Sequence, residues 1–352
     1  MGTTKHIYIN GRFLLSPQTG VERFAYEICK ALAAIGVNFT IICPRKGQIN
    51  EVYNIAPFHI IRFGMGQSHI WEQLVLPLYF INKSSYIIMS FTGLGSILIP
   101  NKIMTIHDLS FLENPKWFSK SYYYYYKVMT PLAVKTSKRI ITVSSFSKSE
   151  IKRFYPFISS EKISVVPNAL SDTFQTSLPQ QKANKDCYFL AVSSMDPRKN
   201  FARLIHAFES MKDYQLLIVG GKNRVYGNQN NNTNNKNIKF LGRVSDEELI
   251  NLYANAEAFI YPSLYEGFGI PPLEAMALGC PVLASDIPVL HEVCKEAALY
   301  FNPLDEKDIQ SCIEAFHHTN DSMKTDLIKK GYNNIKRFSW IESAKEIIKL
   351  VQ

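Results

Sequence analysis

Short apolar runs alternate with amphipathic stretches along the whole chain. The run 6–10 predicts a strand, and a loop punctuated by Gly and Pro follows over 11–20. Phe24, Ile28, Ala31, Leu32 and Ile35 then recur at helical spacing, which predicts a helix over 21–35 that Gly36 ends. Further strands are predicted at 39–43, 87–90, 103–106 and 139–143, with a capped helix over 144–153. Strands alternating with helices argue for a parallel sheet covered on both faces.

The pattern restarts after a polar, Pro-containing stretch at 171–186 that reads as a linker. Strands are predicted at 188–192, 215–219, 238–241, 258–261 and 282–284, with helices over 201–211, 245–254 and 272–278. The chain is therefore read as two doubly wound α/β domains, 1–178 and 179–339. A last helix at about 344–350, within 340–352, returns to the first domain. Such sheets bind ligands at the carboxyl ends of their strands, so two facing domains are expected to hold a site in the cleft between them. The Asn-rich stretch 227–237 is expected to be a flexible surface loop.

Length and composition fit this reading. The chain has 352 residues, 46% of them hydrophobic and 20% charged, which excludes a disordered or collagen-like chain and suits two domains. No apolar run approaches the roughly 20 residues needed to cross a bilayer. The first residues lack the apolar core of a signal peptide, so a cytoplasmic location is expected. The six cysteines are scattered, none at CxxC spacing, and read as reduced core residues. Charge is divided unevenly: residues 1–180 carry 19 Lys and Arg against 9 Asp and Glu, net +10, whereas 181–352 carry 20 against 21. That asymmetry points to an anionic surface or ligand for the first half alone.

Candidate chemistry concentrates in the segment YPSLYEGFGIPPLEAMALGCPVLASD, 261–286. Glu266, Gly267, Phe268 and Gly269 form a loop after a strand, and Pro271 and Pro272 then start a helix that contains Glu274. Glycines admit close backbone approach, and the positive end of the helix points at the loop, which describes an anion site. The two carboxylates can face a polyhydroxylated ligand beside that anion. A Gly-rich turn with a helix-stabilising carboxylate is the alternative reading of the spacing. Arg198 and Lys199, followed by Asn200, stand after the strand 188–192 and can hold a diphosphate, Arg as a fork and Lys as a point charge. In the first half His107 and Asp108 follow the strand 103–106, and Gly20 precedes the first helix.

These residues carry a family resemblance. The Glu-x7-Glu spacing of Glu266 and Glu274 within EGFGIPPLEAMALGCPVLASD resembles the donor motif of the retaining glycosyltransferases of family 4, which have the GT-B fold. TGVERFAYEICKAL, IHDLSF, ITVSSFSKSEI, VVPNAL, SSMDPRKN and FLGRVSDEEL extend the resemblance over most of the chain. It implies that Glu266 contacts the donor sugar and Glu274 the ribose. Backbone groups of Gly267, Phe268, Gly269 and Ile270 then meet sugar and phosphates, and Arg243 and Val244 lie near the base. Arg198 and Lys199 hold the diphosphate, Gly20 approaches it from the first domain, and His107 orients the transferred sugar. Ser193 stands where the family often has Gly. The resemblance implies same-face displacement with retention, with a donor phosphate oxygen taking the acceptor proton. It leans towards bacterial mannosyl- and rhamnosyltransferases of surface-polysaccharide assembly. No Asp-x-Asp motif is present, so no metal or other cofactor is expected beyond the nucleotide sugar as co-substrate.

The acceptor is expected on the first half as a glycan or lipid-linked oligosaccharide. There the segment 117–139 mixes Tyr122–Tyr126 with Lys120, Lys127, Lys135, Lys138 and Arg139, with Lys116 just before it. Interfacial aromatics and cations suit peripheral association with an anionic membrane; an ordinary helix packing alternate rings inward is the other reading. A nucleic-acid-binding protein would explain the basic half and leave Glu266 and Glu274 without a role, and no nucleic-acid motif is found. A GT-B sugar-nucleotide epimerase or phosphorylase shares the architecture, but the RKN and Glu-x7-Glu pattern suits transfer better.

Overall fold

The computed structural model describes residues 5–66, 68–176, 188–221 and 236–351. The chain folds into two compact units. The first comprises residues 1–113, 120–168 and 339–352, and the second 114–119 and 169–338. The expected boundary at 178 and 179 and most of the expected loop at 227–237 lie outside the described residues. The expected linker begins instead with a short helix, Asp172–Thr176, that belongs to the second unit.

The first unit holds seven strands: β1 His6–Asn10, β2 Phe39–Cys43, β3 His59–Arg62, β4 Tyr86–Ser90, β5 Lys102–Ile106, β6 Arg139–Thr142 and β7 Ile163–Val165. They form one sheet in the order β3-β2-β1-β4-β5-β6-β7, every pairing parallel. β2 and β4 are buried at all five positions, which is why they read as continuous apolar runs rather than alternating ones. The helix Gly20–Ala34 packs against the helix Trp340–Lys349, so the chain leaves this unit and returns to it. Trp340 meets Phe24 edge-on at 5.8 Å.

The second unit repeats the plan with β8 Tyr188–Val192, β9 Gln215–Val219, β10 Ile238–Gly242, β11 Ala258–Tyr261, β12 Val282–Ser285 and β13 Ala298–Phe301. Its parallel order is β10-β9-β8-β11-β12-β13. In each unit the order reverses beside the first strand, the point at which doubly wound sheets bind ligands. Phe189, Leu216, Ile218 and Ile260 from the sheet and Leu204, Phe208, Ile309 and Ile313 from helices close its core.

Two differences from the sequence reading have simple causes. The first helix begins at Gly20, one residue before the expected start, because the Glu22 carboxylate reaches back to the backbone N–H of Thr19 at 3.3 Å and caps the turn. The loop after β1 opens with a 3-10 turn, Gly11–Leu15, capped by the Asn10 side chain.

Candidate functional site

The carboxyl ends of β8 and β11 bring three of the expected residues together. After β8, Asp196 caps a single 3-10 turn, Pro197–Lys199, its Oδ1 accepting from the backbone N–H of Arg198 at 3.0 Å. This turn aims both cations at Glu266. Lys199 Nζ donates to Glu266 Oε1 at 2.6 Å, and Arg198 Nη1 stands 3.6 Å from Oε2. Lys199 and Glu266 are both buried. Burial alone would raise the Glu266 pKa, but the charges of Lys199 and Arg198 overcome it and hold the carboxyl at about 2. Burial pulls Lys199 the other way, below its ordinary value, with Arg198 adding to the effect and Glu266 opposing it. Glu266 thus serves two cations, and Asp196 Oδ2, 3.9 Å from Arg198 Nε, supplies a second carboxylate to the cluster.

Tyr261, the last residue of β11, completes this cluster and was not singled out in the sequence. Its hydroxyl donates to Glu266 Oε1 at 2.8 Å and accepts from Lys199 Nζ at 3.3 Å. The available signal was its place at a strand end, five residues before the Glu. Asn200 is also more than a neighbour of the cations. It sits in the left-handed region at φ 59°, buried, and its side-chain amide donates to Pro262 O at 3.1 Å and Pro303 O at 2.8 Å. It pins the cationic turn to the loops after β11 and β13.

The loop after Glu266 has the conformation its glycines predict. Gly269 lies at φ 101°, and a Cβ there would stand 3.0 Å from Leu290. The helix that follows, Ile270–Ala277, starts two residues earlier than expected, with Pro271 and Pro272 inside its first turn, where missing N–H groups cost nothing. The Phe268 side chain is turned inward and packs edge-on against Phe338 at 5.3 Å, so only its backbone is available to a ligand. Glu274 is buried within this helix, with Tyr253 Oη donating to Oε2 at 3.4 Å. Arg243 and Val244 follow β10; the exposed Arg243 lies over Gly221, where a Cβ would come within 2.7 Å of its Nε. Ser193, which stands where the family often has Gly, is closely approached by the next loop: its carbonyl would be 1.7 Å from a Cβ on Gly220.

His107 and Gly20 belong to the first unit. His107 Nε2 is 2.8 Å from the carbonyl of Phe91, which can only accept, so Nε2 carries the proton and Nδ1 is left as an acceptor. Burial lowers its pKa, the Phe91 hydrogen bond and Asp108 opposing, and its ring meets Phe24 edge-on at 5.0 Å. Asp108 Oδ1 accepts from Ser110, from the backbone N–H at 3.0 Å and the hydroxyl at 2.6 Å, and so caps the next turn. Nothing lies within 4 Å of a Cβ built on Gly20; the folded unit does not itself require glycine there.

Two doubly wound parallel sheets, the second carrying a buried cation–carboxylate cluster and a glycine loop at its strand ends, define the GT-B class of glycosyltransferases. The chain matches the family model for glycosyltransferase family 4 over residues 18–173 and that for group 1 glycosyl transferases over 174–334, and it belongs to this family. It is 36% identical over 262 residues to the O-antigen chain mannosyltransferase RfbU of Salmonella typhimurium, covering 70% of this chain and 71% of that one. It is 32% identical to O-antigen chain mannosyltransferase B of Escherichia coli over 68% of this chain and 66% of the other. Among solved structures it resembles WaaG, a glycosyltransferase of lipopolysaccharide biosynthesis, at a TM-score of 0.71 and 15% identity, covering 98% and 99% of the two chains. HepE of Anabaena, solved with UDP and glucose, has a TM-score of 0.73 and 18% identity over 99% of each chain. The protein is a glycosyltransferase.

Proposed function

We propose that this glycosyltransferase moves a hexose, mannose first among the candidates, from a nucleoside diphosphate sugar to a glycan or lipid-linked oligosaccharide in O-antigen assembly, with retention of configuration. The observation that carries the reading is the Arg198–Lys199–Glu266 cluster at the strand ends of the second unit. The names of the relatives support mannose and O-antigen.

In this reading the anomeric carbon–phosphate oxygen bond breaks and its electron pair stays on the leaving diphosphate. Arg198, Lys199 and the N-terminus of the helix Ile270–Ala277 stabilise that charge. The acceptor hydroxyl bonds to the anomeric carbon on the same face, and its proton passes to a donor phosphate oxygen. Glu266 holds the sugar, Glu274 the ribose, and the backbone of Gly267–Ile270 the sugar and phosphates. Arg243 and Val244 flank the base, Gly20 admits the diphosphate, and His107 accepts from a sugar hydroxyl through Nδ1. No resident metal enters this scheme.

We assign the first unit to a peripheral position on an anionic membrane. No helix among the described residues is long and apolar enough to cross one. Instead Ile70, Leu74, Leu78 and Ile81 are exposed on one winding segment, and Tyr124 and Val128 are exposed on the helix Lys120–Thr136 beside the exposed Lys127. The remaining tyrosines of the run divide, with Tyr125 packed against His69 at 4.5 Å and Tyr126 against Phe111 at 5.8 Å. Flotation with anionic liposomes at low salt tests this, and failure to float removes it. The donor is tested by thermal shift and hydrolysis with GDP-, UDP-, dTDP- and ADP-sugars; no response to any of them overturns the donor assignment.

A further inference from the structure

Tyr261 takes no part in the donor scheme, yet it is held more rigidly than the two charged residues it joins. Its side chain is buried at the end of β11 and stacks on Phe259 at 5.8 Å between ring centres, 30° from parallel. Phe259 in turn meets Tyr253 edge-on at 5.3 Å. The main chain is fixed too, because Ser285 Oγ, at the end of β12, donates to the Tyr261 carbonyl at 3.2 Å. The ring also lies under the glycine loop: a Cβ on Gly269 would stand 3.6 Å from Tyr261 Cε1. A phenylalanine would fill this space without the cost of burying a hydroxyl, so the hydroxyl itself calls for a role.

That hydroxyl has one proton to give. Burial and the neighbouring Glu266 charge push its pKa upward, so the proton stays on and is donated. It goes to Glu266 Oε1 at 2.8 Å, while the phenol oxygen accepts from Lys199 Nζ at 3.3 Å. Lys199 donates to the same Oε1 at 2.6 Å, which closes a triangle of hydrogen bonds. Tyr261 and Lys199 therefore both grip one carboxylate oxygen. Oε2 stands 3.6 Å from Arg198 Nη1, beyond hydrogen-bond distance, and is the oxygen left to meet a ligand hydroxyl.

The two contacts on Oε1 differ in kind. Lys199 carries its ammonium on a flexible four-carbon stem, and a diphosphate that engages it draws it away from Glu266. The Tyr261 hydroxyl sits on a ring locked by Phe259 and the glycine loop and stays where it is.

We propose that Tyr261 is a positioning residue: it holds Glu266 by Oε1 while the diphosphate engages Lys199, and so keeps Oε2 turned to the transferred sugar. This deepens the donor reading and rests on it.

The test titrates the full chain calorimetrically with GDP-mannose, UDP-glucose, dTDP-glucose and ADP-glucose, each beside its own nucleoside diphosphate. Tyr261→Phe weakens the nucleotide sugar that binds about tenfold, as loss of one hydrogen bond to a charged group should, and its nucleoside diphosphate by less than about threefold. A merely structural role would weaken both alike. In a Glu266→Gln background the same substitution adds nothing further, because the hydroxyl acts through that carboxylate. Phe259→Leu leaves every polar group of the cluster in place and loosens only the ring; it weakens the nucleotide sugar in the same selective sense and carries the test if the Tyr261 variant does not fold. Equal weakening of both ligands, no weakening at all, or an undiminished Tyr261→Phe effect without the Glu266 carboxylate overturns the proposal. The two readings fail differently. If the unsubstituted protein binds none of the eight ligands, the donor reading falls and this assignment with it; if it binds a nucleotide sugar and Tyr261→Phe is indifferent, the assignment alone falls.

Discussion

Lys199 Nζ and Glu266 Oε1 stand 2.6 Å apart, and both side chains are nearly sealed from solvent. Before any donor arrives, the cation assigned to the diphosphate is already paired with the carboxylate assigned to the sugar. Each group is thereby kept ionised in a place where either alone would tend to neutralise. A donor diphosphate can draw on Lys199 only by sharing it with Glu266, which ties recognition of phosphate to recognition of sugar.

Breaking that pair from one side should be expensive. Lys199→Ala leaves Glu266 buried with Arg198 and the Tyr261 hydroxyl beside it but without its closest cation, and is expected to lower unfolding free energy by about 3–5 kcal/mol. The double variant Lys199→Met with Glu266→Gln removes both charges and should recover most of this, while the thermal shift with nucleoside diphosphate stays lost. Denaturant unfolding and thermal shift measured side by side check both halves; a double variant still stabilised by nucleotide would exclude Lys199 from the diphosphate site.

Acid stability follows from two groups with depressed pKa values. His107 resists protonation in the folded chain, so the unfolded chain binds more protons as pH falls below 6.5, and stability begins to decline there. Glu266, held at about 2 against an ordinary 4.5, contributes stability that is complete above its unfolded value and lost as pH falls from about 5 towards 2. Urea midpoints across pH should show both limbs. Glu266→Gln flattens the lower one and spares the upper; an unchanged lower limb would contradict the assignment.

Asn200 combines a left-handed backbone with two buried side-chain hydrogen bonds. Asn200→Ala loses both features and should cost about 3 kcal/mol, whereas Asn200→Gly keeps the backbone and should cost nearer 2. Equal destabilisation in chemical unfolding would mean that the backbone conformation contributes nothing.

Gly220 lies at φ 151°, and any β-carbon would collide with the Ser193 carbonyl. Gly220→Ala is therefore expected to displace the loop after β8 and to abolish the nucleotide thermal shift, even if the protein still folds. Undiminished nucleotide response in a folded Gly220→Ala protein would show that this loop is not part of the donor site.

The alternation of buried strands and amphipathic helices made both sheets legible, because strands covered on both faces, such as β2 and β4, read as short continuous apolar runs. β3, β7 and β13 escaped notice because all three are edge strands that are short and only partly buried, β3 having no fully buried position, and so carry no clear pattern. The glycines and prolines around Glu266 revealed that loop, since each is demanded by a local backbone requirement. The contact of Tyr261 with Lys199 and the anchoring of Asn200 on Pro303 were not legible, because those partners lie 62 and 103 positions away and no local periodicity records such a pairing.

The return of the helix Trp340–Lys349 to the first unit has a consequence for how the protein is made. Phe24, which touches His107 on one side, waits for Trp340 on the other. On the ribosome the whole of the second unit emerges before that ring arrives, so the first unit spends most of translation with the apolar flank of its first helix uncovered. It should need chaperone protection over that interval although it is the unit synthesised first.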